Sequence, residues 1–211
     1  MTRLVLAVGF LLFAGCQVGW GEGWLRGSAF LPQCGIQADS TAPAAGASLE
    51  IPVTFFFGDV HGDRIDIRLQ TSGAAVDVTD GLIISLRNRH DVVEAIGSGG
   101  SVTVSVVAEE GPLPLTGPDL VGRVTLYLNQ VCHDTYVDFA HGVGEIVFTS
   151  MYAREADGDA ANIDRVQGTF TALSFRDERP EMAVDGEFPW ATFDGAFDFD
   201  YTRGRPAQPF P

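Results

Sequence analysis

Residues 64–70, RIDIRLQ, alternate strictly between apolar and polar side chains. A period of two puts Ile65, Ile67 and Leu69 on one face of an extended strand and Asp66, Arg68 and Gln70 on the other. The pattern recurs at 193–201, FDGAFDFDY, where Phe193, Phe197, Phe199 and Tyr201 alternate with Asp194, Asp198 and Asp200. Gly195 and Ala196 sit inside that run, a composition that suits a β-bulge. Leu49–Phe57, Leu82–Leu86, Val102–Val107, Val121–Leu128, Glu145–Met151 and Val166–Phe175 are further strands by their β-branched and aromatic content. Gly-, Pro- and Asp-rich connectors separate them: GSGG at 97–100, GPLPLTGP at 111–118 and EADGDAAN at 155–162. One short helix fits, over His90–Ile96 with Asn88 as its cap. The expected fold is all-β, an antiparallel β-sandwich of about eight to ten strands, with a β-barrel as the alternative.

Composition narrows the function classes. Apolar residues make up 45% of the chain and charged ones 19%, enough for a substantial core. There are 28 acidic residues against 13 basic ones, and every basic residue is Arg. A net charge of −15 with no basic cluster argues against a nucleic-acid partner.

The N-terminal end carries an address. Met1-Thr2-Arg3 is followed by eleven apolar residues, Leu4–Ala14. That run is too short to span a bilayer, which needs about 20 residues, and it reads as a secretion signal. Phe13-Ala14-Gly15-Cys16 resembles the lipobox of bacterial lipoproteins, in which small residues precede an acylated Cys. The resemblance implies a signal peptide over 1–15 and a lipidated Cys16, followed by a short tether through residue 24. A single β-rich domain with a Pro-rich tail would fill 25–211. Gln17 follows the Cys where lipoproteins retained at the inner membrane carry Asp, so the implied location is the outer membrane, lipid-anchored. A secreted or periplasmic soluble protein is the alternative. With Cys16 acylated, Cys34 and Cys132 remain as an even pair and are expected to form a disulfide.

Gly58-Asp59-Val60-His61-Gly62 resembles the metal-binding signature of the metallophosphoesterases, where an Asp and a His two residues apart hold a metal. Those enzymes need further Asp, Asn-His and His blocks to complete a two-metal site. None follows here, and the resemblance stops at these residues. Gly58–Asp63 therefore reads as a six-residue hairpin connection, with a loop metal site on Asp59, His61 and Asp63 as a weaker alternative. DGDAANID at 157–164 departs from EF-hand spacing, but its oxygen donors Asp157, Asp159, Asn162 and Asp164 are weak candidates for an irregular Ca²⁺ site. His90, His133 and His141 are scattered, and Cys132-His133 is poor geometry for zinc. GSGGS at 97–101 lacks the strand and helix that a nucleophile elbow requires.

No catalytic set and no cofactor emerge from these residues. The expected function is that of a non-enzymatic, lipid-anchored envelope protein with a structural or interaction role, its partners a membrane and an envelope protein or glycan. A ligand-, glycan- or calcium-binding module is the alternative, with Trp20, Trp24 and Trp190 as stacking surfaces; a hydrolase ranks third.

Overall fold

Alternating apolar residues have to be buried on one side only, and the chain does this by rolling a single sheet on itself. A computed structural model describes residues 19–36, 46–108, 120–132, 138–139, 142–153 and 163–202. The strands are β1 (Gly19–Phe30), β2 (Ala47–Val53), β3 (Phe55–His61), β4 (Arg64–Gln70), β5 (Asp80–Leu86), β6 (Val102–Val106), β7 (Val121–Leu128), β8 (Asp138–Phe139), β9 (Gly142–Ser150), β10 (Ile163–Arg176) and β11 (Trp190–Thr202). One helix, α1 (Arg89–Gly99), joins β5 to β6. The all-β expectation holds. In place of two separate sheets there is one 11-stranded sheet in the order β2-β1-β11-β10-β9-β6-β7-β5-β4-β3, with β8 paired to β7. The sheet nearly closes, so the barrel alternative describes it better than the sandwich. All pairings are antiparallel except the short β6–β7 contact.

Closure comes from a segment that reads as one strand in the sequence. The run 49–57 divides at Thr54: Val53 still pairs with Gly23 of β1, whereas the Thr54 N–H already donates to Gln70 O at the end of β4, 2.9 Å. The Thr54 hydroxyl donates to Thr71 O at 2.6 Å. Burial shifts its parity at the same point, from Ile51 and Val53 to Phe56 and Gly58. The two terminal strands of the sheet are thus successive parts of one chain segment. Phe56 of β3 stacks on Phe199 of β11, with ring centroids 5.1 Å apart.

The core is filled by Leu25, Ile51, Ile65, Ile67, Leu69, Leu82, Ile84, Val124, Leu126, Phe148, Phe193, Phe197 and Phe199, all but fully buried. Residues 19–24, expected as tether, are the start of β1. Their pairing with β11 is close enough that a Cβ on Gly21 would lie 2.2 Å from Asp198 O. The Cys34–Cys132 disulfide forms as expected, with Cα atoms 4.9 Å apart and a sequence separation of 98. A loop of that size stabilises by about 4.7 kcal/mol in the chain-entropy model.

The bulge expected at Gly195-Ala196 lies instead in the partner strand. Pairing of β11 with β1 runs unbroken through 195 and 196, whereas the β10 register shifts between Phe170 and Leu173. Ala172 there has φ 54, and its N–H donates to Asp194 Oδ1 at 2.7 Å. Gly195 keeps the inward position of its strand, and the Phe170 ring occupies the space a side chain would take, 2.3 Å from an added Cβ. Gly195→Ala is predicted to lower the stability measured by urea unfolding by about 1–3 kcal/mol, and Phe170→Leu in the same chain to restore part of the loss.

Candidate functional site

The hairpin that resembles a metal signature is tighter than its sequence suggests. Pairing continues to His61 opposite Arg64, so the six-residue connection shrinks to a two-residue turn, Gly62-Asp63. Gly62 takes φ 60 at the first central position, the backbone a type II′ hairpin needs. Asp59 and His61 are therefore strand residues on one outward face. His61 Nε2 lies 3.0 Å from Asp59 Oδ1, with side chains 69% and 46% exposed. Opposite them stand Asp66 and Arg64, themselves paired at 2.7 Å. The Asp59–His61 contact is solvated, and such exposed pairs contribute about 0–1 kcal/mol, whereas the Asp66 side chain opposite it is largely buried.

Asp63 is engaged elsewhere. Its Oδ1 accepts the backbone N–H of His90 at 2.7 Å, and its C=O accepts the N–H of Arg89 at 3.0 Å. A carboxylate at these first-turn N–H groups satisfies orphan donors and complements the helix dipole. Asn88, the expected cap, sits at the cap position with no side-chain cap hydrogen bond. The tight turn thus supplies the cap from the neighbouring strand, since Ile65 of β4 pairs with Leu86 at the end of β5. The three donors of the loop-metal alternative do not converge, and among the described residues no group of three or more His, Cys, Asp or Glu is placed to hold a metal.

Behind this turn lies Arg89, 1% exposed. Its Nη1 donates to Tyr152 O at 2.7 Å and its Nη2 to Gly62 O at 3.3 Å. The same Nη2 lies 2.8 Å from His90 Nε2, and the guanidinium carbon is 5.8 Å from the Tyr152 ring centroid. A guanidinium only donates, so His90 Nε2 must accept, and the hydrogen-bond network assigns the imidazole proton to Nδ1, 2.9 Å from Asp63 Oδ1. A carboxylate on Nδ1 is the arrangement that orients a catalytic histidine. Here Nε2 faces Arg89 in place of a Ser or Cys nucleophile, and Asp63, His90 and Arg89 form a hydrogen-bonded chain.

Helix α1 runs past the expected Ile96 to Gly99, and Gly100, at φ 77, ends it with its N–H on Ile96 O at 2.7 Å. GSGG, expected as a loop, is therefore the last helical turn with its left-handed cap. Cys16, His133, His141, Asp157, Asp159 and Asn162 lie outside the described residues. The backbone of Asp164 pairs with Tyr201, and that of Trp20 with Asp200.

The outer face of β1, β2, β10 and β11 holds the other aromatic and acidic candidates. Trp24 is 37% exposed, with the Arg26 guanidinium 5.1 Å above its ring and Arg26 paired to Glu50 at 2.9 Å. Trp190 is half-buried against Gly46. Asp198 accepts from Arg165 Nε at 2.6 Å and from Gln167 Nε2 at 3.1 Å. The Asp stripe is thus divided: Asp194 holds the bulge, Asp198 pairs with Arg165, and Asp200 faces solvent. Arg89 gave no signal in the sequence, because its acceptors are the carbonyls of residues 62 and 152 and the ring of the adjacent His90, with no carboxylate among them.

Asp63→Ala removes a helix cap and is expected to cost about 1 kcal/mol in urea unfolding, whereas Asp59→Ala and His61→Ala each stay within about 0.5 kcal/mol; the reverse order would assign the stability to the outer pair. Hydrogen bonding and charge from Arg165 hold the Asp198 carboxyl below its ordinary 3.8. A depressed folded-state value adds stability that is present above the unfolded value and lost as pH falls through the folded one. The urea midpoint should therefore fall on acidification below about pH 4, and less steeply in Asp198→Asn.

Comparison with known proteins adds no assignment: no family matches the chain, and no curated protein or solved structure does.

Proposed function

We propose that the chain is an extracytoplasmic envelope protein, anchored by a lipid on Cys16, that works by interaction rather than catalysis. The observation that carries the location is the Cys34–Cys132 disulfide, which belongs to an oxidising compartment. The apolar leader and the lipobox-like FAGC ending at Cys16 supply the export and anchoring part of the reading. Among the described residues no helix is long and apolar enough to cross a membrane.

A lipid on Cys16 would hold the barrel close to the bilayer. Gly19 already pairs with Tyr201, so only three residue steps, at most about 11 Å of extended chain, separate the anchor from the sheet. The end bearing Gly19 and Thr202 would then face the membrane, and the disulfide, beyond the far end of β1, would face away from it. Among the described residues an interaction role is supported by the engagement of two histidines: His61 lies in a solvated pair, and the Nε2 of His90 is held by Arg89.

Cell fractionation tests the anchor. Full-length chain with Cys16 intact should sediment with membranes and incorporate labelled fatty acid, and Cys16→Ser should move to the soluble fraction without label. Continued membrane association of the Ser variant would refute lipid anchoring.

A further inference from the structure

In a chain with 28 acidic residues every arginine has carboxylates to choose from. Arg26, Arg64, Arg165, Arg176 and Arg179 each sit against one. Arg68 and Arg123 do not. Among the described residues neither has an ion pair or a hydrogen bond, and the Nε of each is shut off from solvent with no acceptor. Arg68 has the Phe57 ring 5.3 Å from its guanidinium carbon. Both side chains are half-buried, so the missing counter-charge is not replaced by full hydration.

The two arginines share a face. Arg68 of β4 stands opposite Ile83 of β5, which stands opposite Thr125 of β7. Arg123, one same-face step along β7, stands opposite Ser85 of β5. Strand spacing and rise place their Cα atoms about 12 Å apart across β5. The Arg68 guanidinium rests against Phe57 of β3, so sharing one ligand with Arg123 requires it to swing toward β5. Asp66, in line with Ser85 and Arg123, bonds Arg64 through Oδ2 and keeps Oδ1 buried without a partner.

Further unmet donors lie one row away. Gln70 and Tyr127 are 2% and 1% exposed, and Gln70 Nε2 and the Tyr127 hydroxyl are buried without a partner. Tyr127 lies over Gly81, where an added Cβ would be 2.8 Å from its hydroxyl. Burial pushes the phenol far above its usual range despite the pull of Arg68, so the hydroxyl remains a donor. Native proteins leave few buried polar groups unpaired, because a buried donor or acceptor that has lost water and found no partner destabilises the fold. Here Arg68, Arg123, Gln70, Tyr127 and Asp66 all lie on the non-core face of three adjacent strands.

We propose that this face, with Arg68 and Arg123 on either side of Ile83 and Ser85, binds an oxyanion, a carboxylate or phosphate carried by a hydroxylated small molecule. A guanidinium is a planar fork of donors that matches either group in bidentate fashion, and half-burial strengthens the attraction. Asp66 Oδ1 supplies an acceptor for a hydroxyl on the same ligand. The site rests on the geometry of β4, β5 and β7, and it goes beyond the anchoring of Cys16.

The experiment is an amide NMR titration of the purified full-length chain with glucuronate, inorganic phosphate and glucose. Glucuronate and phosphate are expected to shift the Ile83, Ser85 and Tyr127 amides saturably, and glucose to leave them in place. Arg68→Gln and Arg123→Gln should each weaken binding about tenfold, whereas Arg26→Gln should not change it. Absence of saturable shifts at these amides with both anions would overturn the proposal and leave ordered water as the partner of the donors. Shifts that persist undiminished in the Arg68→Gln/Arg123→Gln chain, or an equal response to glucose, would overturn it as well. Mapping on the unaltered chain keeps the result decisive even where a variant folds poorly.

Discussion

The architecture depends on one switch of hydrogen-bonding partner, at Thr54. An open sheet ends in two strands with unpaired N–H and C=O groups, and these edges must be covered or brought together. Here both edges belong to the same stretch of chain: Val53 bonds to one end of the sheet and Thr54 to the other. The sheet is therefore forced to roll until β1 and β4 lie beside the same segment. The inward stack of Phe56 on Phe199 occupies the seam. The disulfide acts at a second place, joining the turn after β1 to the turn after β7, so the rolled sheet is tied across as well as along its length.

Rolling also explains the hairpin that spells a metal signature. Each letter has a separate mechanical reason. Gly62 is required by a positive φ, Asp63 caps a helix that follows 26 residues later, and Asp59 and His61 are polar because their positions on an edge strand point outward. A motif read as a set implies convergence, but alternation on a strand and a reversal at the turn send Asp63 away from the other two. Closeness in sequence along a hairpin therefore carries no guarantee of a shared ligand.

Much of the fold was legible in the letters. RIDIRLQ occupies β4 with Ile65, Ile67 and Leu69 buried, and the Phe positions of β11 face the core, because a period of two leaves no other way to bury them. The cysteine pair followed from parity. What stayed hidden was set by distant partners. The three successive Phe residues at 55–57 mask the change of parity after Val53, since an apolar run fits either face. The cap of α1 comes from Asp63 rather than Asn88, and the bulge appears in β10 because Asp194 of β11 holds its N–H. Arg89 is the extreme case: a buried guanidinium whose acceptors are two main-chain carbonyls and the adjacent His90 ring, with no carboxylate, leaves no trace in the side-chain pattern.

The arginines sort by what the sheet offers them. On the open face of β1, β2, β10 and β11, Arg26 and Arg165 find carboxylates on neighbouring strands and stay solvated. Arg89 is sealed between a turn, a helix and Tyr152 and is met by neutral groups. Arg68 and Arg123 occupy the middle case, half-buried and, among the described residues, without a counter-charge, and they stand on strands that pair residue for residue through β5. Side chains fixed on a continuous ladder hold their spacing better than side chains on loops, which is the condition for recognising a small charged group. The constraint that closes the barrel at Thr54 bears on this face too, because β4 bonds directly to the switch point and carries Arg68.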